Sequence, residues 1–261
     1  MSALAPVFET CHAENRAALV TYLPCGYPTR DGAVAAMVAM VESGADIVEL
    51  GVAYSDPVMD GPVIQRAADQ ALHGGIRVKD VFPAAQAVAD AGGAPVVMTY
   101  WNPVLQYGVE RFARDLAAAG GRGVITPNLI PDEAAEWIAA ADAHGLDKIF
   151  LVAPSSTPER LAMTANASSG FLYAASTMGV TGARDTVDNV APELVARVRE
   201  LSDIPVGVGL GVRSRAQAAE IAAYADAVIV GSALVSAAGG SLDDVRSLTA
   251  ELAAGVREGR A

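Results

Sequence analysis

The sequence predicts an α/β protein, a single (β/α)8 TIM barrel with an extra N-terminal helix and inserted helices, on three observations. One alternation repeats along the chain: a short Val/Ile-rich run, a loop rich in Gly, Pro, Asp and Ser, then a longer Ala-rich amphipathic segment. The apolar runs number eight. No linker, low-complexity tract or composition break divides the 261 residues, a length that suits one barrel domain spanning 1–261. Strands alternating with helices require a parallel sheet, and eight right-handed crossovers close it on itself.

The elements are expected in the following order. Residues 6–15 read as a helix ahead of the first strand. Strands are expected at 18–23, 47–50, 95–99, 123–126, 148–152, 171–174, 205–208 and 227–230. Helices are expected at 31–43, 78–91, 109–119, 132–143, 158–167, 192–201 and 215–223, with 242–256 closing the chain and 62–72 inserted after a loop at 51–62. Pro131-Asp132-Glu133, Ser156-Thr157-Pro158-Glu159 and Ala191-Pro192-Glu193 carry helix-start signals, with a capping residue or Pro at the first turn followed by acid.

Composition excludes several function classes. Thirty acidic against eighteen basic residues leave a net charge of −12, which disfavours a nucleic-acid surface, since phosphate neutralisation needs Lys and Arg in excess. No uninterrupted apolar run of about eighteen residues occurs, so no membrane span is expected. Met1 to Glu14 lacks a basic region followed by a long apolar stretch, so no signal peptide is expected, and Cys11 and Cys25 suit free thiols in a reducing compartment. The expected location is the cytoplasm.

The stretch from Glu49 to Pro62 places three carboxylates, Glu49, Asp56 and Asp60, just after a run that should be buried. An ionised carboxylate on a strand of Ile, Val and Leu is costly unless something nearby requires it. The Gly/Pro/Asp-rich loop that follows is long enough to swing Asp60 back over the strand end, and two such carboxylates make an acid–base pair. The plain alternative is a salt-bridged strand end followed by turn-forming Asp residues. In a barrel the active site lies at the C-terminal strand ends, and the residues there include Tyr22, Tyr100, Asn102, Asn128, Tyr173, Ser176, Thr181 and Ser232 but almost no cation. Lys occurs only at Lys79, opening a helix, and Lys148, starting a strand, which disfavours a Schiff-base aldolase. His12, His73 and His144 fall on predicted helices, so no His-ligated metal centre is expected. What remains is carboxylate acid–base chemistry on a substrate that supplies its own electron sink.

Glycine forms a second constellation. Val206-Gly207-Val208-Gly209-Leu210-Gly211 ends the seventh run and Val230-Gly231-Ser232 the eighth, each leading toward a helix. Glycine lets backbone N–H groups approach a phosphate, helix N-termini favour anions, and barrels commonly bind phosphate at these two loops. Turn geometry alone would also explain either motif by itself. Gly179-Val180-Thr181-Gly182 suggests a hinge-bearing lid at 175–190, or an ordinary mobile loop.

The Glu49 to Pro62 stretch, Met98-Thr99-Tyr100-Trp101-Asn102-Pro103, Gly179-Val180-Thr181-Gly182, Val208-Gly209-Leu210-Gly211 and Gly231-Ser232-Ala233 together resemble the tryptophan synthase alpha subunit family over nearly the whole chain. Met59, and Tyr27 in Gly26-Tyr27-Pro28, depart from the family pattern. The resemblance implies cleavage of indole-3-glycerol phosphate to indole and D-glyceraldehyde 3-phosphate. It implies Glu49 as general acid–base residue, Asp60 at the indole N–H and Tyr173 supporting both. It further implies an indole pocket of Tyr22, Met98, Tyr100, Ile125 and Leu151, phosphate on Gly182, Leu210, Gly211, Gly231 and Ser232, and Thr181 in the lid. No cofactor or metal is expected in this chain; the implied partner is a beta subunit carrying pyridoxal phosphate, in an alpha2beta2 complex. Two other classes stay open: another phosphate-binding barrel isomerase, and a barrel that only docks on and regulates a partner.

Overall fold

The computed structural model describes residues 2–56, 59–175, 190–209 and 211–259. Among these residues nine parallel strands form one sheet: β1 (Ala18–Pro24), β2 (Ile47–Gly51), β3 (Ala94–Met98), β4 (Gly123–Ile125), β5 (Asp147–Ile149), β6 (Leu151–Val152), β7 (Leu172–Ala174), β8 (Val206–Val208) and β9 (Ala227–Val230). Their order is β5-β4-β3-β2-β1-β9-β8-β7-β6, so the two ends of the sheet are consecutive pieces of one run. Phe150 alone separates them. On one side of it the chain pairs with β4 and on the other with β7, and the Phe150 carbonyl accepts the Tyr173 N–H at 3.1 Å. The ring therefore closes. The fifth expected strand, 148–152, is corrected to two short strands because one run serves two neighbours in succession.

Successive strand side chains point to opposite faces, which sorts the apolar residues into two layers. Val20, Ile47, Ala94, Val96, Ile125, Ile149 and Ile229 pack with one another inside the barrel. Residues between them in sequence, among them Leu19, Val48, Leu50, Val97, Val124 and Val228, pack beneath the helices. Burial on both faces is why the strands read as nearly unbroken apolar runs.

Among the described residues, twelve helices surround the sheet: α1 (Ala5–Ala13), α2 (Arg30–Glu42), α3 (Pro62–His73), α4 (Val81–Asp90), α5 (Trp101–Tyr107), α6 (Val109–Ala118), α7 (Ala135–His144), α8 (Pro158–Ala167), α9 (Val190–Arg199), α10 (Arg215–Ala222), α11 (Ser232–Ala238) and α12 (Leu242–Glu258). The hydroxyls of Thr29, Thr157, Ser214 and Ser241 accept backbone N–H bonds from Gly32, Arg160, Gln217 and Asp244, which is why α2, α8, α10 and α12 begin where they do. Expected helices 78–91 and 132–143 are corrected at their starts: each opens with a single tighter turn, Val78–Asp80 and Pro131–Glu133, and Lys79 lies in the first of these. Helices α5 and α11 were not among the expected elements. Among the described residues no helix is long and apolar enough to cross a membrane.

The N-terminal helix closes the end of the barrel where the strands begin. Leu4 and Cys11, with Val7 and Phe8 beside them, join the interior layer, and the Phe8 and Phe171 rings lie 6.0 Å apart. Asp147, 2% exposed at the start of β5, fastens this plug. Its Oδ2 accepts both the Ser2 hydroxyl and the Leu4 N–H at 2.8 Å, so one buried carboxylate satisfies the chain just ahead of α1. Asp147→Ala should leave the Leu4 donor without its partner and lower the unfolding free energy by about 2 kcal/mol. Urea unfolding and protease cleavage near α1 measure this; an unchanged midpoint with unchanged cleavage would contradict it.

Candidate active site

Glu49 lies on β2 in register with Tyr22 of β1 and Val96 of β3. Alternation directs it into the barrel, where it is 1% exposed and its Oε1 has no hydrogen-bond partner among the described residues. Burial pushes its carboxyl up to about 8, since removing water penalises the charged form. At neutral pH it holds a proton.

Asp60 arrives from the other side of the mouth, just before Gly61 and Pro62 start α3. Tyr100 holds it there. The Tyr100 hydroxyl accepts the Met59 N–H at 2.9 Å and the Asp60 N–H, and it hydrogen-bonds the Asp60 side chain. Burial raises the Asp60 carboxyl to about 6, and the Tyr100 bond, which favours the ionised form, opposes that rise. Two further contacts brace the loop: the Tyr54 and Tyr100 rings lie 5.6 Å apart, and Asn102 Nδ2 donates to the Tyr54 hydroxyl at 3.2 Å. Of loop 51–62, residues 57 and 58 lie outside the described residues.

Tyr173 and Tyr22 share the well with the acids. Burial raises both phenols, and nearby carboxylates raise them further, Asp60 ahead of Glu49 for Tyr22 and Glu49 ahead of Asp60 for Tyr173, so both remain protonated donors. Neighbouring glycines make room for their hydroxyls. A Cβ built on Gly51 would stand 2.5 Å from the Tyr22 oxygen, and one on Gly209 would stand 2.8 Å from the Tyr173 oxygen. Met98 and Ile125 follow Gly51 in register across β2, β3 and β4, and Leu151 pairs with Tyr173 across β6 and β7. Met98, Ile125, Leu151 and Tyr173 belong to the interior layer, and Tyr22 and Tyr100 are buried. All the residues expected to form an apolar pocket are thus on the inner side of one mouth.

Gly231 precedes α11, and Ser232 is that helix's first residue, so first-turn N–H groups without intrahelical partners follow β9 directly. Gly211 has φ +65°, a backbone region that favours glycine. Leu210, Thr181 and Gly182 lie outside the described residues, as does lid 175–190 apart from its end residues, and as does Ser176.

Some strand-end residues serve the frame instead. Asn128 Oδ1 accepts the Trp101 N–H at 2.9 Å and fixes the start of α5. Lys148, on β5, is ion-paired with Asp142. Among the described residues no group of three His, Cys, Asp or Glu side chains could hold a metal ion. The role of Tyr100 as the clasp on Asp60 was missed in the sequence, because the bond joins positions forty residues apart and leaves no local spacing to read.

Comparison with known proteins places the chain in a family. The family model described as tryptophan synthase alpha chain matches residues 8–260. The tryptophan synthase alpha chain of Mycobacterium marinum is 70% identical over 257 residues, covering 98% of this chain and 96% of that protein. That of Nocardia farcinica is 70% identical over 256 residues, with 98% and 96% covered. A solved structure of Mycobacterium tuberculosis tryptophan synthase superposes with a TM-score of 0.95 at 68% identity, covering 98% of both chains. By sequence and by fold, the chain belongs to the tryptophan synthase alpha chain family.

Proposed function

We propose that Glu49 and Asp60 divide the acid–base work of one retro-aldol cleavage, Glu49 entering as the acid and Asp60 as the ionised partner. The reaction is that of the alpha chain: indole-3-glycerol phosphate is split to indole and D-glyceraldehyde 3-phosphate, a lyase step of L-tryptophan biosynthesis carried out alongside a beta chain. The observation that carries the division is the pair of environments: Glu49 is enclosed by apolar strands and lacks a partner for Oε1, whereas Asp60 is bonded by a tyrosine. Environments that push two carboxyls apart assign acid and base.

Glu49 gives its proton to C3 of the indole ring, and positive charge develops at the ring nitrogen, which Asp60 faces. The bond between C3 and the glycerol carbon then breaks, its electron pair entering the ring. The neighbouring hydroxyl releases its proton to the Glu49 carboxylate as the aldehyde forms, so Glu49 ends protonated again. Tyr173 supports the pair. Tyr22, Met98, Tyr100, Ile125 and Leu151 enclose the indole. Backbone N–H groups at Gly182, Leu210, Gly211 and Gly231, with Ser232, hold the phosphate, and Thr181 belongs to the lid that excludes water.

This chain works as one domain in the cytoplasm, needs no cofactor of its own, and assembles as alpha2beta2 with pyridoxal phosphate in the beta subunit.

Glu49→Gln should lower cleavage by roughly 10²- to 10⁴-fold while substrate still binds, and Asp60→Asn should be nearly as damaging. Turnover of indole-3-glycerol phosphate, read by indole absorbance, measures both, and near-normal rates would contradict the roles. With Asp60 at about 6 and Glu49 at about 8, the active form has the first ionised and the second protonated. A profile of kcat/KM against pH should fall below about 6 and above about 8, whereas a flat profile through 8.5 would count against the assignment. Gly211→Val should raise KM about tenfold or more with a smaller change in kcat, and an unchanged KM would argue against phosphate there.

A further inference from the structure

When Glu49 gives up its proton, a carboxylate is left inside the barrel with no cation beside it among the described residues. Among the described residues, the groups that face this part of the well are Tyr22 from β1, Asp60 and Tyr100 from the mouth and Tyr173 from β7, with Cys25 also acting on Tyr22. None is a cation. Tyr100 is committed to the Met59 and Asp60 bonds, and Asp60 carries the like charge. Tyr22 is the immediate neighbour of Glu49: the two are Cα partners on adjacent parallel strands, both directed inward.

Its ring extends further toward the mouth. The Tyr22 hydroxyl lies over Gly51, two residues beyond Glu49 on the same strand, where any Cβ would stand 2.5 Å from the oxygen and 2.8 Å from two ring carbons. On the other flank, a Cβ on Gly231 would meet the ring at an ordinary 3.6 Å. Only the β2 side therefore demands the absence of a side chain. A wall residue of an apolar pocket needs no such clearance for a hydroxyl, and a buried phenol needs a polar partner.

We propose that the Tyr22 hydroxyl is a functional hydrogen-bond donor of this site, standing over Gly51 to stabilise the carboxylate that Glu49 becomes during the reaction. This rests on Glu49 being the acid. Burial and the two carboxylates keep the phenol protonated across the working range, so it can only donate to that charge. Neutral donors aimed at developing charge in a site closed to water do what a cation does elsewhere.

The test is Tyr22→Phe, which keeps the ring, assayed in the reconstituted complex with the beta chain as glyceraldehyde 3-phosphate release against pH. A donor to the charged form lowers the pKa of its acid, so its removal should move the upper limb, near 8 in the wild type, upward by about one unit and lower kcat about tenfold, with KM changed less than about twofold. Gly51→Ala, which drives the hydroxyl off its seat, should shift the limb in the same direction. An unmoved upper limb in Tyr22→Phe, whatever happens to kcat or KM, overturns the inference and leaves Tyr22 as pocket wall. That result leaves the Glu49 reading intact, because the loss of cleavage in Glu49→Gln is measured independently. A wild-type profile with no upper limb overturns both.

Discussion

The chain of consequences starts with a carboxyl group confined by apolar strands. Glu49 is enclosed by Ile, Val and Leu on a strand whose pairing leaves its backbone no freedom to turn the side chain outward, since slipping the register by one residue would expose the whole interior face. Desolvation then holds the proton on this carboxyl at neutral pH. A reaction that breaks a carbon–carbon bond without an amine nucleophile or a metal needs such an acid, because the electron sink exists only once the ring is protonated.

Around that constraint the fold divides its labour between the two ends of the barrel. At one end α1 and Asp147 close off the interior, which keeps the inner layer apolar beneath Glu49. At the other, tyrosines supply polarity without charge. Tyr100 holds the returning loop by Met59 and Asp60, Tyr173 and Tyr22 stand on either side, and glycines at 51 and 209 give those hydroxyls space. Glu49 and Tyr22 sit on strands, and Ser232 at a helix start, whose separations the sheet pairing already fixes.

Much of this was legible in the residue order. Apolar runs recurring with Ala-rich segments announced the parallel barrel, and a Glu as the lone charged residue among Ile47, Val48 and Leu50, followed by a loop bearing Asp60, singled out two carboxyls that the fold buries. The glycines after β8 and β9 were equally plain. What was hidden is tertiary. Helix α5 contains Pro103 and spans a single pair of turns, too short for a 3.6-residue period to register, and α11 is likewise seven residues long. The break at Phe150 depends on which strand lies on each side. The bonds from Asp147 to the N-terminal segment and from Tyr100 to Asp60 join positions far apart in sequence, and the reason for a glycine at 51 becomes visible only when the Tyr22 ring is seen lying across it.

The most direct measurement of the central claim is the titration of Glu49 itself in the folded complex, followed through the carboxyl stretching band by infrared difference spectroscopy between wild type and Glu49→Gln. The burial described here predicts a protonated carboxyl signal that persists at pH 7 and disappears with a midpoint near 8. Loss of that signal with a midpoint near the ordinary glutamate value of about 4.3 would contradict it.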